Sequence, residues 1–501
     1  MSARRGWILV ALMTCMALAA MDTTIVSTAI PQVVADLGGY TQFSWVFSGY
    51  LLTQTVTIPI YGKLADLYGR KPVLITGALI FLAGSALCAA AWNMPSLIVF
   101  RAVQGVGAGA VQAIVSTLAG DLYDITERGR VQGWLSAVWG VSAIVGPTLG
   151  GAFAEYSTWR WIFLINLPIG ALALALIGRF LHEDVRSTPH RIDYLGALLL
   201  LGAAGTAIFG LLQGGTAWPW WSAPSIAVFA AAAVCAVAAV VVERRAAEPV
   251  MPPWVWGKRL LASANLATVG FGMLVIGPST FLPTYAQDVL GLGPIAAGLL
   301  LATMSIGWPI AAGQSARLYL AIGFRDAALV GAGFALAGCT WLALLPQTPP
   351  LWQIVAAVFV LGIGFGWLSS PIVVGVQATV TWHQRGVVTS ANMFSRFLGQ
   401  SLGAAVFGAV SNAALRARIA DAPAAVRPHL PADADGITRA LAHDPASAAA
   451  DYLRAALYTA THHVYLGLAA TAALVVVILA VLTPRRFPIV AATADTRAER
   501  S

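Results

Sequence analysis

Gly62-Lys63-Leu64-Ala65-Asp66-Leu67-Tyr68-Gly69-Arg70-Lys71 closes one apolar run, 45–65, and leads into the next, 72–92. Each run is about 20 residues long, the length at which an α-helix crosses ~30 Å of hydrocarbon. A turn holding Lys63, Asp66, Arg70 and Lys71 does not stay in lipid, and its basic excess marks the cytoplasmic side of a bilayer. The stretch therefore reads as a short inner turn between two antiparallel membrane helices.

Outward from that turn the pattern repeats along the chain. Apolar runs predict spans at 7–31, 45–65, 72–92, 97–119, 131–154 and 161–181, then at 193–213 and 222–242. Six more follow at 261–286, 295–316, 326–345, 352–376, 387–410 and 464–483. The runs are continuous, whereas a membrane β-barrel would alternate apolar and polar residues. Length alone, 501 residues, would suggest about three soluble domains. Composition excludes that: 58% of residues are hydrophobic and 10% charged, with a mean hydropathy of +0.78. The fold class expected is an all-α polytopic membrane protein with fourteen transmembrane helices.

Charge sets the orientation. The net charge of +8 is spread in short clusters between spans, among them Arg4-Arg5, Arg128, Arg130, Arg186, Arg191, Arg244-Arg245, Arg385 and Arg485-Arg486. With the N-terminus inside, these clusters fall on the cytoplasmic side, and an even number of spans returns the C-terminus there. This distribution argues against a nucleic-acid partner. Arg4-Arg5 and the run to Ala20 resemble a signal peptide, but the run resumes after Asp22 and continues to Ile30, so it reads as an uncleaved first helix. Cys15, Cys88, Cys235 and Cys339 lie in four different runs with no ligand-like spacing, and His429, His443, His462 and His463 form no convincing set. No metal is expected.

An internal repeat organises the chain. Gly69, Lys71, Gly77 and Leu82-Ala83-Gly84 recur, offset by 254, as Gly323, Arg325, Gly331 and Leu336-Ala337-Gly338. Gly105, Gly107, Gly109, Arg128-Gly129, Val131 and Gly146 recur, offset by 257, as Gly362, Gly364, Gly366, Arg385-Gly386, Val388 and Gly403. The division is then a six-helix half at 1–181, two inserted helices and linkers at 182–260, a second six-helix half at 261–483, and a tail at 484–501. A polar insertion at 411–462 sits on the outer side as a short helical or irregular loop. Repeated halves around a midplane site are the architecture of alternating-access transporters.

The quoted turn resembles the inner loop of the major facilitator superfamily, and the chain is most similar to the fourteen-span drug:proton antiporters of the EmrB/QacA type. Met21-Asp22-Thr23-Thr24-Ile25-Val26 resembles their first-span motif, Arg101-Ala-Val-Gln104-Gly105 their fourth-span motif, and Gly140 through Gly146-Pro147-Thr-Leu-Gly150-Gly151 their fifth-span antiporter motif. Arg191-Ile-Asp193-Tyr194-Leu-Gly196 resembles the entry to their additional helix pair. The second-half loop, Gly313 to Arg325, departs by lacking the acid and carrying extra residues. The resemblance implies a major facilitator fold and a proton-coupled exporter of lipophilic or cationic compounds in a bacterial cytoplasmic membrane. A dedicated exporter of one metabolite or lipid is the alternative. The proton gradient would supply the energy with no cofactor. The protein would be monomeric, with a periplasmic adaptor as an optional partner. No cluster of nucleophiles or bases suggests an enzyme, and Gly105, Gly107 and Gly109 lack the strand-to-helix context of a nucleotide loop.

Charges at membrane depth are the candidate functional residues, because each is costly there. Asp22 lies ~12 Å below the outer end of its span and Arg101 ~7 Å below the same side, at 1.5 Å per residue. They share a layer, and read either as a proton carrier with its partner or as a fixed pair joining helices. Gly62, Asp66, Gly69, Arg70, Lys71 and Asp121 form the inner loop cluster, read either as a gate or as simple orientation by positive charge. Gly140, Gly146, Pro147, Gly150 and Gly151 suit a sliding or bending helix, or plain close packing. Asn392, Arg396 and Gln400 repeat every four residues as one interior polar stripe, read either as a structural hydrogen-bond seam or as a substrate or coupling site. With Gln54, Gln104, Gln112, Trp139, Asn265 and Trp308 they are candidates for the substrate cavity.

Overall fold

The computed structural model describes residues 3–37, 44–183, 193–215, 218–246, 249–423, 426–430 and 447–488. Arg186, Arg191 and His443 lie outside them. Among the described residues there is no strand; long helices are joined by short turns and a few helical pieces of three to five residues. The first half holds α1 (Ala3–Leu37), α2 (Ser44–Tyr68), α3 (Arg70–Ala89), α4 (Met94–Leu122), α5 (Ile125–Tyr156) and α6 (Asn166–Phe180). The inserted pair is α7 (Tyr194–Gln213) and α8 (Ala223–Glu243). The second half holds α9 (Arg259–Thr284), α10 (Pro294–Ile322), α11 (Phe324–Ala343), α12 (Leu351–Ala378), α13 (Arg385–Ala420) and α14 (Ala448–Val477).

Local sequence explains where several of these helices start. Asn93 caps α4 by accepting from the Ser96 N–H at 2.8 Å, and Ser96 Oγ accepts from the Asn93 N–H at 3.2 Å, so two otherwise orphaned donors are satisfied reciprocally. Asp193, from the entry to the extra pair, caps α7 through the Gly196 N–H at 2.8 Å. Gly69 and Gly323 take φ of 94° and 92°, so the sharp turns between α2 and α3 and between α10 and α11 are built the same way in both halves.

Among the described residues twelve helices are long and apolar enough to cross a membrane, which makes the chain a multi-pass membrane protein. The other two of the fourteen expected spans are α2 and α5. Both are long, at 25 and 32 residues. α2 carries buried Gln54, Thr55 and Thr57 and packs on α13, while α5 packs on α10. These two helices thus carry contacts to the opposite half.

The halves repeat in packing as they do in sequence. α3 lies on α4 as α11 lies on α12, α2 on α4 as α10 on α12, and α1 on α5 as α9 on α13. A side chain added at Gly77 or Gly107 would run into the α3–α4 contact, and one at Gly331 or Gly364 into the α11–α12 contact. Small residues let these backbones approach closely where lipid offers no hydrophobic drive. The inserted α7 and α8 pack on each other, with α7 reaching α2 and α13.

The described part of the 411–462 insertion is largely helical. α13 runs on to Ala420 and α14 begins at Ala448, so much of 411–462 is helix. Leu415, Ala450, Leu453, Ala456 and Ala460 give this extension its own apolar contact, and the Tyr452 hydroxyl donates to the Arg418 carbonyl at 2.5 Å.

Candidate functional site

Asp22 is completely buried on α1, and three side chains converge on its carboxylate. Arg101 of α4 donates at 2.5 Å, Gln104 of α4 at 2.8 Å and Asn166 of α6 at 3.2 Å. Gln104 also accepts from Arg101 at 2.7 Å, and both Gln104 and Asn166 donate to Ser85 of α3. Arg101 Nε donates to the Val46 carbonyl of α2 at 3.2 Å, and its guanidinium lies 4.2 Å from the Tyr50 ring centroid. One carboxylate thus ties together every helix of the first half except α5. The structure brings Asp22 and Arg101 together, and it moves Gln104 from the cavity into this network. Asn166 and Ser85 were not singled out in the sequence; a lone Asn inside the apolar run 161–181 was the available signal.

A second cluster sits at the basic end of the bundle, where the quoted turn lies. Asp66 accepts from the Gly386 and Val387 N–H groups at 3.0 and 2.9 Å, the free donors of the first turn of α13. Arg70, fully buried, donates to Asp66 at 2.8 Å, to Asp121 at 3.0 Å and to the Trp382 carbonyl at 2.7 Å, and stacks on the Trp382 ring at 3.6 Å. Arg385 reaches Asp121 from the other half at 3.1 Å. Nearby, Gln377 of α12 donates to the Ser116 carbonyl of α4 at 3.0 Å, and the Tyr319 hydroxyl of α10 donates to the Ile125 carbonyl. Gly62 faces Ser390, and any side chain there would force α2 from α13. Gly69 supplies the turn. Lys71 takes a separate course, donating to the Gly178 carbonyl at 3.2 Å. Glu183, not foreseen, bonds the Arg70 and Lys71 N–H groups at 2.9 and 2.7 Å and so caps α3. The hydrogen bonds described between the halves gather at this end, which is therefore latched shut.

Burial pushes the Asp66 carboxyl up to about 7, against the lowering pull of Arg70 and the two backbone donors. Asp121 opposes them as a second acid. The latched state then binds a proton that a solvated Asp66, at its ordinary 3.8, would release. That contribution to latching is present in full below the ordinary value and is lost as pH rises through about 7. Spin-label distances across the basic end should show the latched population falling by about tenfold or more between pH 5.5 and 8.5, and Asp66→Asn should flatten the response.

The glycines of α5 make two different contacts. Gly140 abuts the Ser305 backbone of α10, across the halves, and Gly146 abuts Thr24 on α1, two residues from Asp22. Thr24 Oγ1 also donates to the Ser142 carbonyl at 2.9 Å. Gly150 is buried; Pro147 and Gly151 belong to the same helix, with side-chain surroundings outside the described residues. The motif is thus a close seam between α5 and the Asp22 helix. Gly146→Leu should cut transport by about tenfold or more with expression and monodispersity retained, since overpacking costs about 1–3 kcal/mol and displaces α1. Normal turnover by a folded variant would remove the seam from the mechanism.

In the second half, Asn392 donates to Thr268 at 2.8 Å and to Asn265 at 3.3 Å, so this part of the stripe is a hydrogen-bond seam between α13 and α9. Arg396 and Gln400 lie further along α13 and stay partly accessible. Arg396 sits over Trp308 and Phe397 at 5.6 Å from each ring and over Phe271 at 6.0 Å. In the first half, Gln54 is buried with neither amide atom bonded, and the Gln112 amide nitrogen is likewise without an acceptor. Trp139 packs on the first-half core. Among the described residues no three metal-ligating side chains gather.

A twice-built six-helix half with a buried acid–arginine pair is the architecture of a membrane transporter. The chain belongs to the Major Facilitator Superfamily, whose profile matches residues 12–193 and 185–404. It is 36% identical over 406 residues to "Multidrug resistance protein 3" of Bacillus subtilis, covering 81% of this chain and 79% of that one. It is 33% identical to "Multidrug transporter protein MdtP" of the same organism, covering 82% and 76%. Among solved structures, the human organic anion transporter MFSD10 (TETRAN) aligns with a TM-score of 0.65 at 13% identity, over 96% of this chain and all of that one, which shows a shared fold.

Proposed function

We propose that this protein is a fourteen-span, proton-coupled antiporter that exports lipophilic or cationic small molecules by alternating access. α2 and α5 then cross the bilayer too, and the basic end, with both termini, faces the cytoplasm of a bacterial cell. The observation that carries the reading is the Asp22 carboxylate, completely desolvated and held by Arg101, Gln104 and Asn166. As a carboxylate it neutralises Arg101; once protonated it no longer does, so one proton changes the bonding that joins five helices. A proton entering down the membrane potential releases ~2.3 kcal/mol per 100 mV, enough to drive uphill export. The latched basic end corresponds to a state closed to the cytoplasm. The names carried by the Bacillus subtilis relatives support multidrug efflux as the direction and cargo.

Everted membrane vesicles with an acid lumen test this directly. The neutral lipophilic dye N-phenyl-1-naphthylamine should accumulate in the lumen, the lumen should become more alkaline as it does so, and a protonophore should abolish both. Accumulation that survives collapse of the gradient, or that needs ATP, would refute proton coupling.

A further inference from the structure

We infer that Arg396 and Trp308 form the charge-recognition point of the cargo site, and that this site takes lipophilic organic monoanions, aromatic sulfonates or carboxylates. The inference rests on the exporter reading above and narrows its cargo. Arg396 stands eleven residues into α13, counting from Arg385, so it lies ~16 Å along the axis, near the middle of a ~30 Å hydrocarbon layer. The two fully buried arginines have acids: Arg101 has Asp22, and Arg70 has Asp66 and Asp121. Among the described residues no carboxylate pairs with Arg396, and its Nε–H is buried without an acceptor. A guanidinium cannot escape by losing its proton, so the charge stays and remains uncompensated.

The surroundings supply the rest of the specificity. Phe271, Trp308 and Phe365 pack edge to face with centroids 5.4–5.5 Å apart, and make an aromatic wall beside the guanidinium. Trp308 Nε1–H within that wall is also buried without an acceptor. Two unfilled donors and one fixed positive charge, set against flat apolar surface, complement an oxyanion on an aromatic body. The Nε edge of a guanidinium suits two oxygens of one such group. A cationic cargo would meet repulsion there and leave both donors unfilled. The rings alone do not settle the charge, since at 5.6–6.0 Å they lie at the limit of cation–π attraction and accept no N–H bond.

The test is equilibrium dialysis of the purified full chain against three probes of one shape: naphthalenesulfonate, naphthyltrimethylammonium and naphthamide. Naphthalenesulfonate should bind about tenfold or more tightly than either of the others, the size expected for hydrogen bonds to a charged group. Arg396→Gln should erase that preference, Arg396→Lys should keep part of it, and Trp308→Phe should weaken the anion alone. If Arg396→Gln is not monodisperse, the wild-type ranking together with Arg396→Lys and Trp308→Phe decides. Equal or tighter binding of the cation, or an anion preference that survives Arg396→Gln, overturns the proposal. Uptake of the same permanent anion into acid-lumen vesicles separates the two readings. Selective binding without gradient dependence refutes proton coupling alone, whereas gradient-driven uptake of the cation with no anion preference refutes this proposal alone.

Discussion

Asp22→Asn should reduce gradient-driven accumulation by about a hundredfold or more while substrate binding persists. The amide keeps the size of the carboxyl but exchanges no proton at any pH the protein survives. It also leaves Arg101 without its counter-charge, and breaking a buried pair costs about 3–5 kcal/mol. The double variant Asp22→Asn/Arg101→Gln removes that charge and should regain stability without regaining coupling. Stability and coupling thus separate: thermal unfolding and size exclusion report the first, vesicle uptake the second. Downhill exchange of labelled substrate should continue in both variants. A folded Asp22→Asn protein that still pumps uphill would make the Asp22–Arg101 pair structural.

Arg70→Ala should unlatch the basic end. The guanidinium joins Asp66, Asp121 and the Trp382 carbonyl at once, so its loss strands two buried acids. The cost, about 3–5 kcal/mol for one broken buried pair, falls on the latched state only. Ser116, 3% exposed beneath the Gln377 contact, reports the change when substituted Ser116→Cys in a background without the four native cysteines. The reporter thiol should resist a water-soluble maleimide with Arg70 intact and react at least about tenfold faster without it. Arg70→Lys should fall between, because a point charge does not bridge two acids as a planar fork does. A Ser116→Cys reporter that stays sealed in Arg70→Ala would place the closing contacts elsewhere.

Much of this was legible in the sequence, and what was not has physical reasons. The quoted turn displayed Asp66, Arg70 and Gly69 openly. The groups that answer Asp66 are the N–H groups of Gly386 and Val387, and backbone donors leave no mark in a sequence. Glu183 was hidden by the same logic, since it caps backbone more than a hundred positions upstream. Asp22 and Arg101 stood at one depth, which pointed to a meeting. Gln104, one helical turn from Arg101, could have been added by spacing, but its type suited a polar cavity equally well. Hydropathy marks a run as long and apolar but not its neighbours, so the packing of α2 on α13 and of α5 on α10 left no trace. Arg396 was visible as a charge in a span; that it has no acid beside it is a three-dimensional fact.

α13 joins these observations in one rod. Its first turn receives Asp66, Arg396 follows about three turns on, and its far end rises into the outer extension with α14. At 36 residues it is about 54 Å long, so a tilt of about 10° around its middle moves each end by roughly 5 Å in opposite directions. That travel at the inner end exceeds the reach of any hydrogen bond, while Arg396, about 10 Å from the pivot, moves about 2 Å. The helix is therefore a seesaw that carries the cargo charge between its fulcrum and its inner end. Breaking the bond to Asp66 and swinging the outer hairpin become one motion read at two places, and distances from labels at the two tips should change together or not at all.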